Sequence, residues 1–583
     1  LYRSRDRGRS WQRIGLERSS RISRIVVDPA DERRIFVAAS GPLFQPGGER
    51  GLYRSEDGGD TWQLVLAGDN ATTGATDVAI DPSNPQRMFA AMWDHQREPD
   101  VRRYNGVGSG LYRSDDGGGS WERVPGPQFG PDGALGRIGV AIAPSDPKTV
   151  FVMASGESGA YRGMFKSTDG GATWVPIAHP LVVADPVVYG WWFGRVWVDP
   201  QDASHVFVAG LFLIESKDGG LTWDSAPGVH ADQHAMAWDP KQPGRVYLGN
   251  DGGVYRSDEN GANWRFGSHQ PFSQLYGLDV SEQDADRRTA GLQDNGAIRS
   301  YPGDYNEFKG GDGQRTLIDP RDQQVVFGCS QYGDCIKSTD GGETGEDITN
   351  KVISTRKNWF TPIELDPEDS KVVYTGGEIL NRSTDGGETF ETISGDLSNG
   401  PGRETNPLFR NFGTLTTIAP APRRTGVIYA GTDDGNVWST ADGGATWRKS
   451  TDPDLPRAWV TRLEVDPRDP RTAYVTFSGF RQGADGAYVL ETTDGGRNWE
   501  SITGNLPKAP LNDVNVIGGE LYVASDVGVF LSRDGGRRWL RVGGNLPLAP
   551  VFELRHHPAT DTLYAATFGR SMWRIPLAAL RAG

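Results

Sequence analysis

Two histidines and an aspartate alternate within one short segment, at His230, Asp232 and His234. The segment leads into a strand-like run that ends at Asp239-Pro240, and alternate side chains of an extended chain share one face. Two imidazoles and a carboxylate on one face match the ligands that Zn²⁺ and other transition metals prefer. The same groups could instead contact an organic ligand without a metal, or form a hydrogen-bonded polar plug. These three interpretations stay open at the level of sequence.

Acidic residues in tight turns form a second set of candidates. Asp251, Asp294, Asp433 and Asp526 each lie close to Gly or Asn between strand-like runs, and Asp312 lies in a glycine-rich approach to a strand. A glycosidase needs two carboxyl groups roughly 5–9.5 Å apart, one of them protonated. Asp251, Asp294 and Asp312 are therefore candidate catalytic residues. Turn formation alone also explains an aspartate at such positions, so both interpretations are kept.

Aromatic side chains are concentrated in two places. One group lies in a single loop and the strand that follows it: Tyr189, Trp191, Trp192, Phe193 and Trp197. Trp359 and Phe360 open a second segment. Flat aromatic faces suit the stacking of sugar rings, so Trp191, Trp192 and Trp359 are candidate ligand-binding residues alongside His230, Asp232 and His234. Packing between structural repeats is the alternative explanation.

A repeated motif predicts the elements that carry these residues. The pattern Ser-x-Asp-x-Gly-x-Thr/Ser-Trp is clear at Ser55, Asp57, Gly59, Thr61 and Trp62. Eleven clear or degenerate copies of this Asp-box occur, at residues 4–11, 55–62, 114–121, 167–174, 216–223, 257–264, 338–345, 383–390, 440–447, 492–499 and 532–539. Most spacings match a propeller blade of about 40–50 residues, and the gap of 81 between the sixth and seventh copies indicates a blade without a box.

The repeats predict an all-β protein made of two tandem Asp-box β-propellers. A single ring seldom exceeds eight blades, so eleven complete repeats with partial ones at both ends require two rings. We expect each ring to have seven blades, the first incomplete at its N-terminus. The predicted domains are residues 1–268 and 269–583, with the boundary between Gly267 and Ser273. The box tryptophans at 62, 121, 174 and 223 should be largely buried between blades.

Composition and charge exclude several classes of partner. The net charge is −15, and the Lys and Arg residues are scattered among more numerous acids, which argues against nucleic-acid binding. No apolar run approaches the roughly 18–20 residues needed to cross a bilayer, so we expect no membrane insertion. Cys329 and Cys335 flank a short turn, where either a hairpin disulfide or two free thiols would fit. The chain begins at Leu1, within what reads as a strand, so we expect a processed or truncated product.

The boxes, the segment Gly249-Asn250-Asp251-Gly252-Gly253-Val254-Tyr255 and two glycine-rich stretches at 291–296 and 310–313 resemble a known group of proteins. The chain is similar to sortilin-type propellers, to tandem-propeller xyloglucanases and, above all, to bacterial sortilin-like or Asp-box (BNR) glycosyl hydrolases. In the xyloglucanases one acid from each propeller faces a shared cleft. Their Trp-Asp-Trp type motif is not reproduced, since the segment Tyr189-Gly190-Trp191-Trp192-Phe193 has no carboxylate.

These observations lead to a functional expectation with one alternative. We expect an exported protein, extracellular or periplasmic, that recognises a polysaccharide or protein ligand in the cleft between its propellers. The alternative is a glycoside hydrolase that uses paired carboxylates in the same cleft. Six residues are expected near that cleft: His230, Asp232, His234, Asp251, Asp294 and Asp312. Nothing in the sequence indicates an organic cofactor.

Overall fold

The computed structural model describes residues 1–129, 133–177, 189–267, 272–301, 303–405 and 411–581. The chain separates into two compact units, Leu1–His269 and Gln270–Gly583. Residues 268–271 of the predicted boundary segment lie outside the described residues, and the boundary itself stays a prediction. Both units consist of antiparallel sheets, and most sheets have four strands in sequence order. The predicted all-β propeller fold is confirmed.

The N-terminal unit contains one two-stranded blade followed by five four-stranded blades. Blade 1 consists of Tyr2–Arg3 and Gln12–Arg13. Blades 2 and 3 consist of Ile22–Asp28, Asp31–Ala39, Gly51–Ser55 and Gln63–Leu66, then Thr73–Ile80, Met88–Asp94, Gly110–Ser114 and Glu122–Arg123. Blades 4 and 5 consist of Ile138–Ile142, Val150–Ser155, Tyr161–Ser167 and Val175–Ile177, then Val196–Asp199, Asp202–Ala209, Leu213–Ser216 and Asp224–Ser225. Blade 6 consists of Gln233–Trp238, Val246–Asn250, Gly253–Ser257 and Arg265–Phe266. A small hairpin, Gln96–Glu98 with Val101–Arg103, extends blade 3.

The C-terminal unit contains six four-stranded blades and a three-stranded seventh. Blades 1 and 2 consist of Leu275–Val280, Arg288–Leu292, Ala297–Arg299 and Asn306–Lys309, then Thr316–Ile318, Val326–Ser330, Asp334–Ser338 and Glu346–Asp347. Blades 3 and 4 consist of Ile363–Leu365, Val373–Gly376, Leu380–Ser383 and Glu391–Thr392, then Leu415–Pro420, Ile428–Thr432, Val437–Thr440 and Arg448–Lys449. Blades 5 and 6 consist of Trp459–Val465, Ala473–Ser478, Ala487–Thr492 and Glu500–Ser501, then Leu511–Ile517, Glu520–Ser525, Gly528–Ser532 and Leu540–Val542. Blade 7 consists of Val551–His557, Thr562–Thr567 and Met572–Pro576.

Helical structure in the described residues is limited to single turns. They are Pro127–Phe129, Glu157–Gly159, Gln331–Gly333, Thr349–Lys351, Phe480–Gln482, Pro558–Thr560 and Ala578–Arg581. A membrane-crossing helix would have to be far longer and more apolar than any helix in this part of the chain.

The C-terminal unit closes into a ring because its last blade packs on its first. The Leu278 N–H donates to Glu553 Oε2 at 2.9 Å, and Tyr564 joins a buried cluster with Leu278. At the rim, the Ser273 carbonyl accepts hydrogen bonds from the N–H groups of Gly569 and Ser571, both at 3.1 Å. The first and last blades of this unit therefore lie side by side.

The Asp-box is a self-contained turn. Ser55 Oγ donates to Asp57 Oδ1 at 2.7 Å and accepts from the Gly59 N–H at 2.8 Å. The Asp57 carboxylate accepts from both the N–H and the Oγ1 of Thr61, at 2.9 and 2.6 Å. Gly59 adopts a φ of +95°, which explains why the motif requires glycine there. The box therefore works as a turn, as its residue types predict.

Several box tryptophans attach their blade to the one before it. Trp62 Nε1 donates to the Ile14 carbonyl of the preceding blade at 2.7 Å, and Trp174 meets Phe89 and Phe129 edge-on. Trp223 is buried at 6% exposure, whereas the tryptophans at 62, 121 and 174 are only half-buried. The packing role is as expected, but the burial is less complete because the indole lies at the outer edge of the blade.

Strand order divides the loops of each unit between two ends. One end carries the loops between blades and the loops between second and third strands, and we call it the upper face. The opposite end carries the Asp-box turns and is called the lower face. Because the boxes occupy the lower face, the candidate residues in the remaining loops are positioned together on the upper faces.

Candidate ligand-binding faces

His234 and Asp251 form a close pair on the upper face of the N-terminal unit. His234 is the second residue of the first strand of blade 6, and Asp251 lies in the two-residue turn between Asn250 and Gly253. His234 Nε2 is 2.7 Å from Asp251 Oδ1, with the two side chains 37% and 21% exposed. Asn250 holds this turn, since its Oδ1 accepts the N–H of Gly252 at 3.1 Å. The pair offers both a hydrogen-bond donor and acceptors to solvent.

The predicted common face of His230, Asp232 and His234 is not formed as expected. The strand begins only at Gln233, and Asp232 has a φ of +67°, which breaks the alternation of an extended chain. The His230 carbonyl accepts from Gln233 Nε2 at 2.6 Å and from Asn250 Nδ2 at 3.0 Å, so this residue contributes its backbone to the turn. The strand alternation assumed for residues 230 and 232 is therefore absent, although a carboxylate oxygen of Asp232 still lies within 4.8 Å of one of Asp251. Metal binding, contact with an organic ligand and a polar plug stay open interpretations.

The aromatic loop before blade 5 splits into a buried and an exposed part. Trp191 is 7% exposed and its ring is covered by the Arg97 guanidinium, 4.7 Å from the ring centroid. Trp192 is 42% exposed and meets the His234 ring edge-on, with 6.2 Å between centroids. Phe193 is buried and lies 5.4 Å from the same imidazole. Packing explains Trp191, whereas Trp192 presents a free face beside the His234–Asp251 pair.

Phe212 is an exposed aromatic that the sequence analysis did not single out. It is 56% exposed in the loop between the second and third strands of blade 5. The neighbouring carbonyls of Gly210 and Leu211 accept the N–H groups of Gln233 and Asp232, at 3.1 and 2.9 Å. This loop is therefore attached to the segment that leads to His234. Its single aromatic residue in a short loop gave little signal.

Asp294 and Asp312 come together on the upper face of the C-terminal unit. The Asp294 N–H donates to Asp312 Oδ1 at 3.0 Å, and the Asp312 N–H donates to Gln331 Oε1 at 2.8 Å. Asp294 has a φ of +58°, as expected of a turn residue. Burial raises the pKa of the neighbouring Tyr276, and the charges of Asp312 and Asp294 raise it further. Asp312 is itself buried, so Asp294 is the more accessible of the two acids.

Trp359 is held by a turn that a disulfide closes. Cys329 and Cys335 are bonded and face each other across the second and third strands of blade 2. Tyr332, at the tip of their turn, donates its N–H to the Trp359 carbonyl at 3.1 Å and meets the indole edge-on at 5.2 Å. Of the two states left open by the sequence, the structure has the disulfide. Half-buried Trp359 is thereby fixed beside Phe360 and Tyr276.

The other two turn acids have structural roles. Asp433 is 1% exposed, and its carboxylate accepts from the N–H groups of Gly413 and Thr414 and from Asn358 Nδ2. Burial raises the pKa of Asp433 to about 7, against the lowering effect of the hydrogen bonds from Thr414. Asp526 accepts from Asn512 Nδ2 at 3.0 Å, and burial raises its pKa as well. Turn formation accounts for both residues.

Sequence reasoning missed three arginines at the first strands of the N-terminal unit, of which Arg24 and Arg195 occupy equivalent positions and Arg137 lies two residues earlier in its blade. They occur in the segments Ser23-Arg24-Ile25-Val26-Val27, Gly136-Arg137-Ile138-Gly139-Val140 and Gly194-Arg195-Val196-Trp197-Val198. The shared pattern is Ser/Gly-Arg-Ile/Val-x-Val, and it recurs at the first strands of blades 2, 4 and 5. First strands line the central channel of a propeller, so this repeat could have been recognised as a set of channel residues.

Comparisons with known proteins agree with the resemblance seen in the sequence. A family model described as Sortilin-Vps10 (sortilin, neurotensin receptor 3) matches residues 1–124. A Paenibacillus xyloglucanase is 31% identical over 251 residues, which are 38% of this chain and 23% of that enzyme. The xyloglucanase of Hypocrea jecorina is 25% identical over 526 residues, which are 77% of this chain and 57% of that enzyme. The matches thus span less than two thirds of these relatives' own length.

Solved structures show the same fold. The GH74 enzyme of Niastella koreensis superposes with a TM-score of 0.56 at 17% identity, covering 99% of this chain and 94% of that one. An ancestral GH74 enzyme gives a TM-score of 0.50 at 15% identity, covering 98% and 94%. At these identities the likeness concerns the fold. The expectation that the six candidate residues line one cleft stays a prediction.

Proposed function

We propose that this protein binds a polysaccharide on the upper face of its N-terminal unit. The observation that carries the proposal is the exposed indole of Trp192 next to the His234–Asp251 pair. An exposed tryptophan beside hydrogen-bonding groups is the combination that a sugar ring requires. The ring's C–H face packs on the indole, while its hydroxyl groups exchange hydrogen bonds with the imidazole and the carboxylate.

The choice of a polysaccharide over a protein ligand rests on where the similarities lie. The match to the Sortilin-Vps10 model ends at residue 124, before Trp192, His234 and Asp251. The similarity to the Hypocrea jecorina xyloglucanase extends over 77% of the chain. The proposal therefore takes a glycan as the ligand, and a peptide ligand becomes an outcome of the binding test.

A second glycan-binding surface is proposed on the upper face of the C-terminal unit. Its central element is Trp359, which the turn at Tyr332 holds in place. Asp294 and Gln293 supply polar groups in the neighbouring blade. The Gln293 side chain is held in place there, because its Oε1 accepts a hydrogen bond from the Tyr276 hydroxyl at 2.9 Å. Each unit would thus offer one tryptophan together with carboxylate or amide groups.

Hydrolysis of the bound polysaccharide is the second candidate function. The similarity to xyloglucanases favours it, and Asp251, Asp294 and Asp312 are the acids proposed to take part. Asp251 is the strongest of the three, because its hydrogen-bonding partner His234 lies beside the exposed Trp192. A glycosidase carboxylate must reach the glycosidic bond, and buried Asp312 is the weakest candidate for that reason.

We further propose that the protein works outside the cytoplasm. The Cys329–Cys335 disulfide supports this location, because such bonds persist in oxidising compartments. Polysaccharides of cell walls and capsules are also found there.

Affinity gel electrophoresis against a panel of plant and bacterial polysaccharides tests the binding proposal. Trp192→Ala should abolish retardation by the glycan that binds. The matched control is Trp11→Ala, which removes a tryptophan that is even more accessible than Trp192 (63% against 42% exposed) from the lower face. If no glycan in the panel retards the protein, or if both variants behave alike, the proposed site is wrong.

Hydrolysis is tested by measuring reducing ends released from xyloglucan and from every polysaccharide that binds. Turnover by the wild type and its loss in Asp251→Asn, measured at polysaccharide concentrations that saturate the variant, would assign an enzyme. Binding without release of reducing ends would leave recognition as the function.

A further inference from the structure

The channel of the N-terminal unit brings together three arginines and one aspartate. Arg24 Nε is 3.7 Å from Asp77 Oδ1, and the Arg195 guanidinium donates to the Ser23 carbonyl at 2.9 Å. Burial lowers the pKa of Arg137 to about 10, with the charge of Arg195 as the next cause and Asp77 acting in the opposite direction. These four side chains therefore share one electrostatic environment although they come from four blades.

In this group of four side chains in the N-terminal channel, positive charges outnumber negative ones. Among the described residues, Asp77 is the carboxylate that acts on both Arg137 and Arg195. Asp77 is already engaged, because its two oxygens accept the N–H groups of Val78 and Val140 at 3.0 and 3.2 Å. Three guanidinium groups facing one carboxylate leave two positive charges without a counterion from this set.

The C-terminal unit provides an internal comparison. Its channel also contains three arginines: Arg315 and Arg462 have the same register as Arg24 and Arg195, and Arg555 lies two residues further along its strand. There they contact four acids, Glu364, Glu553, Asp513 and Asp279. In the C-terminal channel acids thus outnumber the arginines. In the N-terminal channel, by contrast, Asp77 is the one acid found beside Arg24, Arg137 and Arg195 within the described residues.

Arg137 connects the channel to the proposed glycan surface. Its Nη1 donates to the carbonyls of Trp191 and Trp192, and its Nε is buried with no hydrogen-bond partner among the described atoms. The Arg97 guanidinium lies over both indoles, 4.7 and 5.8 Å from the ring centroids. Positive charge therefore continues from the channel to the exposed face of Trp192.

The pKa of His95 is lowered in part by the same positive charges. Burial lowers its pKa to about 3, and the charges of Arg50, Arg97 and Arg137 act in the same direction. The imidazole is therefore neutral at physiological pH and adds no charge. This local potential contrasts with the net charge of −15 for the whole chain.

From this arrangement we infer that Arg24, Arg137 and Arg195 bind a carboxylate of the ligand, which makes the ligand an acidic polysaccharide containing uronic acid residues. The inference rests on the proposed glycan-binding function and specifies its substrate class. Guanidinium groups recognise carboxylates through paired, charge-assisted hydrogen bonds, and they are the preferred groups for this purpose at partly buried sites. A sugar on Trp192 would place its neighbours toward the arginines, since Arg137 is bonded to that residue's carbonyl.

The test compares two ligands that differ only in charge. Oligogalacturonate and the same oligosaccharide with its carboxyl groups reduced to alcohols are titrated into the full chain by calorimetry. We expect the acidic form to bind at least about tenfold more tightly, the range of one charge-assisted hydrogen bond. Its affinity should fall as salt is added, whereas that of the reduced form should not.

Two arginine variants and one control locate the effect. Arg24→Gln and Arg195→Gln should each remove most of the difference in affinity between the acidic and the reduced ligand. Two variants are used because one substitution could disturb folding, which thermal melting would reveal. The control is Arg113→Gln, whose partner Asp115 lies at the lower face.

The outcomes separate this inference from the function on which it rests. Equal affinity for both ligands, with loss of binding in Trp192→Ala, overturns the inference and retains the glycan site. If neither ligand binds but a neutral polysaccharide does, the inference of an acidic ligand is likewise overturned and the glycan site is retained. A preference for a sulfated over a carboxylated oligosaccharide would also overturn the assignment to uronic acids.

Discussion

His234 Nε2 and Asp251 Oδ1 lie 2.7 Å apart, on a strand and a turn of the same blade. A pair this exposed contributes little to stability, about 0–1 kcal/mol. We therefore expect His234→Ala and Asp251→Asn each to weaken polysaccharide binding about tenfold, or about 1.4 kcal/mol, without lowering the melting temperature. Binding constants for both variants and for the double variant provide the measurement.

The double variant distinguishes a cooperating pair from two separate contacts. Groups that are hydrogen-bonded to each other show non-additive effects, so the double variant should bind about as weakly as either single one. Additive losses would mean that the imidazole and the carboxylate contact the ligand independently.

Trp223→Ala should lower the free energy of unfolding by about 3–5 kcal/mol, the range for large aromatic truncations in cores. The reason is that Trp223 is 6% exposed and packs in a cluster with Met153 and Val208 of blades 4 and 5. Trp11→Ala, at 63% exposure, should change it by no more than about 0.5 kcal/mol. Urea titrations of both variants check this, and equal effects would refute the role of the box tryptophan in joining blades.

Asp57→Asn should destabilise the protein at neutral pH but much less in acid. Hydrogen bonds from Thr61 and Ser55 hold the pKa of Asp57 well below its ordinary value of 3.8. A carboxyl group with a lowered folded pKa contributes stability above the unfolded value and loses it as pH falls through the folded one. The difference in melting temperature between wild type and variant should therefore shrink below about pH 4. A difference that stays constant from pH 7 to pH 2.5 would contradict the box hydrogen bonds.

Replacing both cysteines, Cys329→Ala and Cys335→Ala, should cost about 2–4 kcal/mol, as is typical for a disulfide. A local effect should accompany this loss, because the turn between the cysteines binds the Trp359 carbonyl and the Asp312 N–H. Hydrogen exchange at Tyr332 and Asp312 should accelerate in the variant. Unchanged exchange at these amides would show that the turn holds without the bond.

The blades were predictable because the box needs particular side chains at particular positions. Ser55, Asp57 and Gly59 each make a local contact that depends on their spacing. The turn can therefore be recognised from the sequence motif alone. Ten boxes and one gap correspond to the eleven four-stranded sheets, and the first box lies in the two-stranded blade at the N-terminal end.

The functional residues were less predictable because neighbours in sequence differ in exposure. Trp191 and Trp192 have the same residue type, yet the first is 7% exposed beneath Arg97 and the second is 42% exposed. Local periodicity could not reveal this, since the loop conformation and the residues that cover it come from distant parts of the chain. Asp232 shows a similar limit, because its positive φ interrupts the strand alternation on which the metal-site argument depended.

The meeting of Ser273 with Gly569 and Ser571 has a consequence for how the C-terminal unit can be built. Where a segment's first and last blades adjoin, the order in which the chain visits the blades is not essential to the fold. A circular permutant that joins residues 577 and 273 through a linker long enough to run the height of a blade, and that opens at the exposed turn Gly518-Gly519, should assemble the same seven sheets. Its termini would then lie on the lower face, where a fused domain would leave the upper loops uncovered.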